Sequence, residues 1–396
     1  MRALIIVKRV LALATVFCGL CGPAAAAGDA CAGLAASVDA LPPRPVFLAS
    51  YPTAGPGPLQ DTAFVYDNAV AAIALIACGQ TQKARRIGDA FLFALDHDRH
   101  WRDGRLRNAY VAGALESPVK LPGWWDRIQN RWLEDGYQLA SDNGNMAWAM
   151  LALLALDRAT QDPCYRAGAA RIGDWTLAWR RHRGPGGFAG GTFGEEPDPA
   201  PMTWKSTEHN ADLAAAFAAL ARATGDRRWL EPAQAASRFV RAMWRPSCHC
   251  YAVGTGLDGA TRNDLLALDA QIWPSLALPE NPPRAETVLA TARARLAQSG
   301  GYAYSEALHG LWTEGTAQVA LLTALSGDAK SADALGRVIA AMRAPGGGYY
   351  ASDTSALPTG FMLQTDPNRA REYFHIRALA PLAWVALAER RVNPFR

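Results

Sequence analysis

The sequence lacks an apolar run of the ~20 residues that a membrane-spanning helix needs. Val10 to Leu20 is too short, and no later stretch is long enough. It lacks a common zinc-ligand spacing: Cys248-His249-Cys250 crowds three ligand types into one tripeptide, so no metal and no cofactor is expected. It lacks the Asp-x-Asp-Asp motif of a terpene cyclase. It also lacks a charge imbalance. The 40 basic and 36 acidic residues become 37 and 36 once Arg2, Lys8 and Arg9 of the first segment are set aside. Near-neutrality gives no reason to expect nucleic acid or an acidic membrane surface as partner.

Those three basic residues, the short apolar core and the small residues Ala24 to Ala27 have the order of a secretory signal peptide. Residues 1–27 are therefore read as a leader, with an uncleaved N-terminal anchor as the alternative. Residues 28–396 are read as one domain of a periplasmic or secreted, monomeric protein. Cys21 and Cys31 lack a lipobox, which favours free export over lipidation. Five cysteines remain, Cys31, Cys78, Cys164, Cys248 and Cys250, and an odd count leaves at least one thiol unpaired.

About 370 residues, half of them apolar, can bury a large core. Residues 207–244 show its unit. An Ala-rich helix, apolar nearly all round, ends at Gly225, a good left-handed C-terminal cap. Asp226 then caps a second helix with Trp229, Ala233, Ala236, Val240 and Met243 on one face and arginines on the other. The pattern recurs. Inner helices are expected to start near Tyr66, Asn143, Glu208, Asp269, Glu314 and His375. Outer helices are expected over roughly 80–96, 162–180, 227–244, 283–298 and 329–343, with residues 32–41 as the sixth. Twelve helices make an all-α (α/α)6 toroid, a six-hairpin barrel with short β-ribbons or turns in its Gly-rich connections. A looser helical solenoid is the alternative. In such a ring all inner helices begin at one rim, and Cys78, Cys164 and Cys31 share the other, so Cys78–Cys164 or Cys31–Cys78 bridges are open.

Polar clusters gather at the inner helix starts: Tyr66-Asp67-Asn68, Asp142-Asn143-Gly144-Asn145, Glu208-His209-Asn210, Asp269-Ala270-Gln271, Trp312-Thr313-Glu314 and Tyr373-Phe374-His375. Asp, Asn, Ser and Thr are also ordinary helix caps. Glutamate is a poorer cap, which singles out Glu208 and Glu314. Carboxylates beside aromatic rings suit glycosidic-bond cleavage, in which apolar neighbours keep one acid protonated while a second carboxylate activates water. Trp124, Trp125, Trp204 and Trp312 lie in the rim segments.

The hairpin pattern together with Tyr66-Asp67-Asn68, Glu208-His209-Asn210 and Trp312-Thr313-Glu314-Gly315-Thr316-Ala317-Gln318 resembles the six-hairpin glycosidase superfamily. Asp142-Asn143-Gly144-Asn145 is similar to a helix start in glucoamylase-like proteins acting on β-glucans. The resemblance implies a secreted glycoside hydrolase acting on a poly- or oligosaccharide, a β-glucan or exopolysaccharide among them, with inversion as a frequent outcome. Glu208 is the expected general acid and Asp142 or Asp269 the base. Tyr66, Asp67, Asn68, Trp124, Trp125, Trp204, His209, Asn210, Trp312, Glu314 and His375 are expected to bind the sugar. A polysaccharide lyase or sugar epimerase could instead use His209, Asn210, Tyr373, His375 and Arg377 for proton abstraction. A uronate-binding lyase would need a basic cleft, for which Lys205, Arg107, Arg371 and Arg377 are a modest supply. A non-catalytic glycan-binding protein would keep the tryptophans without a usable acid pair.

Overall fold

The computed structural model describes residues 30–278, 282–307, 309–364, 366 and 368–396. The expected signal peptide lies outside them.

Among the described residues, six inner helices alternate with six outer ones. The inner set is α2 (Val65–Ala77), α5 (Asn143–Thr160), α7 (Thr207–Thr224), α9 (Leu268–Ala277), α11 (Thr313–Leu325) and α13 (Leu379–Arg390). The outer set is α1 (Ala30–Asp39), α3 (Thr81–His97), α6 (Pro163–Leu177), α8 (Leu230–Ala242), α10 (Pro282–Leu296) and α12 (Ala329–Ala341). One extra turn, α4 (Gly136–Leu139), precedes α5. Each inner helix packs on the next, α13 returns to α2, and α1 docks on α13 to complete the ring.

The two sets differ as their sequences require. In α11 every residue from Thr313 to Thr323 is buried. In α8 burial follows one stripe through Ala233, Ala236, Phe239 and Val240 while Arg238 and Arg241 face solvent. The connections from outer to inner helices carry most of the short antiparallel strand pairs. The last inner helix begins at Leu379 rather than near His375, because residues 370–374 and 377–378 are held as strands by partners at 356–362 and 349–350.

A repeated anchor joins five of the six connections to the ring. The fourth residue of an inner helix reaches back to backbone of the preceding connection. Asn68 bonds both N–H and C=O of Leu48, Asn210 those of Phe188, and Gln271 those of Tyr251. Thr316 accepts from the Tyr302 N–H, and Met146 presents its sulfur to the Leu106 N–H. Asn68 and Asn210 are fully buried and spent on these bonds, so the expectation that they bind sugar is corrected. Asn210→Ala should lower stability by about 2–4 kcal/mol, since it strands a buried donor and two acceptors; urea denaturation with an unchanged m-value would measure it.

Cys31 and Cys78 form a disulfide that ties α1 to the end of α2; Cys164 is a free thiol. Cys248 and Cys250 also pair, closing the turn after α8. Opening the 47-residue Cys31–Cys78 loop by Cys31→Ala should cost about 2–4 kcal/mol by chain entropy. Thermal unfolding with and without reductant would show the same loss in the wild type and none in the variant, provided the short Cys248–Cys250 loop contributes little.

Candidate active site

The starts of the inner helices bring Asp67, Asp142, Glu208, Asp269 and Glu314 to one rim, each within electrostatic reach of at least one other site group. Asp142 caps α5, accepting from the Asn145 N–H at 2.8 Å and from the Tyr137 hydroxyl at 3.1 Å. Both its oxygens are therefore bonded. Glu208, in the first turn of α7, keeps some accessible surface, and its carboxyl hydrogen-bonds that of Asp269 on α9. Burial, then the negative charges of Asp269 and Asp212, push the Glu208 carboxyl well above the usual carboxylate range. Burial also raises Asp269, against the pull of the Glu208 hydrogen bond and the Ala270 N–H at 2.6 Å. Two carboxyls in contact in a dry setting share a proton.

Glu314 stands apart from this pair. Tyr66 donates its hydroxyl to Oε1 and is itself held by Trp384 Nε1 at 2.7 Å; Gln318 Nε2 reaches the same Oε1 at 3.2 Å. Oε2 makes no bond among the described residues. Burial pushes this carboxyl up to about 8, with the Tyr66 bond pulling down and Asp67 pushing further up. Asp67 is raised to about 7 by burial, against a Ser50 hydroxyl. Tyr66 packs edge-on to Trp148 and beside Trp273, which form the floor.

His209 lies between Trp204, with ring centroids 5.5 Å apart, and the backbone of α5. A Cβ at Gly144 would come within 2.6 Å of its ring, which explains the glycine of Asp142-Asn143-Gly144-Asn145. Burial lowers the His209 pKa, and Nδ1 has no partner among the described residues. Trp312 is buried and backs the wall through Tyr304 and Tyr373. Trp124 is half-buried and Trp125 exposed on the strand pair 124–126/131–133, where Trp125 stands opposite the exposed Trp132.

His375 is not brought to the acids. It is exposed, stacks on Tyr350 and bonds the Ser352 carbonyl through Nδ1 at 2.6 Å. Sequence reading missed Tyr51, Tyr137, Tyr304 and Asp212, all of which interact with the cluster. Asp212 had a signal: it lies one helical turn after Glu208, on the same face. It is fully buried, and burial, then the charge of Asp269, raise its pKa strongly against the pull of the Trp148 indole N–H. Among the described residues no group of three or more His, Cys, Asp or Glu is arranged to hold a metal ion.

No protein-family model matches the sequence, and no curated protein does. Solved structures do match over nearly the whole chain. A wild-type glycosidase aligns with TM-score 0.60 and 14% identity over 92% of this chain and 95% of that one. A sugar epimerase from a ruminal bacterium gives 0.61 and 13% over 90% and 95%. The GH76 α-mannanase of Bacteroides thetaiotaomicron gives 0.54 and 14% over 92% and 95%. The chain has the (α/α)6 toroid fold that these structures share. At these identities the likeness is one of fold.

Proposed function

We propose that the protein is a glycoside hydrolase acting on a poly- or oligosaccharide. The observation that carries the reading is the Glu208–Asp269 carboxyl pair, whose proton Glu208 holds among the acids and tyrosines gathered at the inner-helix starts. Glu208 donates that proton to the leaving glycosidic oxygen, and Asp269 keeps its affinity for it high. Asp269 is not the opposing carboxylate. Acid and base of an inverting enzyme stand roughly 6.5–9.5 Å apart and the retaining pair about 5–5.5 Å, whereas Glu208 and Asp269 are in hydrogen-bond contact. Of the other candidates Asp142 has both oxygens engaged, while Glu314 has Oε2 open. Glu314 therefore takes the opposing role and activates water, with inversion. Export to the periplasm or medium, the expectation raised by the N-terminal residues, would fit such a role.

The test is incubation with a panel of glycans in ¹⁸O water. New reducing ends carrying ¹⁸O at the anomeric carbon support hydrolysis, and proton NMR of the first-formed anomer reads the stereochemistry. A retained anomer would reassign Glu314 as nucleophile. One observation favours a second reading: a half-buried neutral His209, whose buried Nδ1 has no partner among the described residues, could abstract a carbon-bound proton, as a sugar epimerase requires. Exchange of a sugar C–H with deuterium oxide, without chain cleavage, would establish that reading instead.

A further inference from the structure

Of the four basic residues that the sequence offers to the site, two are already paired. Lys205 is buried with Nζ on the Arg183 carbonyl at 2.6 Å. Arg107 is buried between Asp98 at 2.7 Å and Glu196 at 2.8 Å. A third, Arg377, packs beside the Gly346–Gly348 turn.

Arg371 differs. It sits on the strand Ala370–Phe374, two residues before Tyr373, and side chains two apart on a strand share a face. The Tyr373 ring packs on Trp312 at 5.4 Å and Tyr304 at 5.7 Å, so that face is the wall of the site. The partner strand is irregular between Pro358 and Met362, and Thr359 Oγ1 holds the Arg371 carbonyl at 2.9 Å, fixing the backbone there. The Arg371 side chain is exposed, yet its charge is felt by Glu208, Asp269, Glu314, His209, Tyr51 and Tyr137. Its guanidinium makes no hydrogen bond or ion pair with any described residue. A permanently charged planar fork is thus left with its N–H donors open, within electrostatic reach of the one negative charge that the Glu208–Asp269 pair keeps but not bonded to it.

We propose that Arg371 binds the carboxylate of an acidic sugar, so that the glycan substrate carries a uronic acid residue at this subsite. A guanidinium takes a carboxylate through two parallel N–H···O bonds, and Tyr137, Tyr304 and Tyr373 lie within electrostatic reach of the position. The proposal rests on the glycan reading above and narrows its substrate class. It makes Arg371 a specificity-determining residue rather than a proton-transfer group.

The experiment uses the full chain and matched glycans that differ only at C6, carboxylate against hydroxymethyl, with a sulfated analogue as third arm. Cleavage is followed by kcat/KM, and binding of glucuronate, galacturonate and glucose by calorimetry. The wild type should favour the uronate at least tenfold. Arg371→Gln should lower kcat/KM on the uronate on the order of 100-fold and collapse the preference, and Arg371→Lys should restore part of it. Equal or better turnover of the neutral glycan, or a preference that survives in a folded Arg371→Gln, would overturn the uronate assignment and leave hydrolysis standing. Selective turnover of the sulfated arm would overturn it too, in favour of a sulfate ester. Uronate binding that depends on Arg371, without water-dependent cleavage, would support the anion site and sink the hydrolase reading. An unsaturated product would do the same and identify a lyase.

Discussion

Glu208→Gln is expected to reduce kcat by ~10²–10⁴-fold while leaving the folded state intact, because glutamine keeps the volume and a hydrogen-bond donor but cannot give up a proton. Asp269→Asn is expected to act differently. The negative charge of Asp269 beside Glu208 raises the affinity of Glu208 for its proton. Removing that charge lowers the affinity, so Glu208 ionises at a lower pH and the basic limb of the kcat/KM profile moves to the acid side. Two carboxyls that share one proton also act as a unit. The Glu208→Gln/Asp269→Asn double variant should therefore lose about as much as Glu208→Gln alone, far less than the product of the two single losses. Steady-state rates over the pH range give all three numbers. A multiplicative double loss, or a basic limb that moves upward in Asp269→Asn, would show that the residues work independently.

The ring was legible because its cause is local. Inner helices apolar all round, outer helices apolar on one stripe and glycine-ended turns repeat often enough to count, and residues 30–39 supplied the twelfth helix. The site was legible only by position. Every inner helix start carries polar residues, but the fourth residue of most serves as a tether for the preceding connection. Asn210 therefore looks like a ligand in sequence and is an anchor in space. Tyr304 and Arg371 lie outside any helix start, on irregular segments whose facing depends on strand register and a local irregularity. His375 failed for the same reason in reverse, since pairing of residues 377–378 with 349–350 delays the last helix until Leu379. The Glu208–Asp269 contact joins two helices 61 positions apart, and no spacing rule spans that distance.

Glu314 ties the stability of the ring to its activity with opposite signs. Burial raises its carboxyl from 4.5 to about 8. Below pH 4.5 it is protonated in the folded and the unfolded chain alike, and it costs nothing. As pH rises from there, the unfolded chain releases the proton while the folded chain retains it. Stability therefore falls until the folded group also ionises near pH 8, and changes no further above that. Each tenfold difference in proton affinity is worth about 1.4 kcal/mol, so the whole loss is on the order of 4–5 kcal/mol. Asp67, raised to about 7, adds a fall of the same sign that is complete one unit earlier. Glu314→Gln carries no proton to release. The variant should show a flatter dependence of unfolding free energy on pH between 5 and 8, and should gain several kcal/mol over the wild type at pH 8. Activity runs the other way. A base must be ionised to activate water, so wild-type kcat/KM should climb through pH 6 to 8, where stability declines, and Glu314→Gln should lose that climb together with most of its rate. Urea midpoints and initial rates measured in the same buffers test both halves. A variant whose stability still falls with the wild-type slope would show that Glu314 is ionised in the folded ring at all these pH values. Its role as the opposing carboxylate would then have to operate well below pH 8.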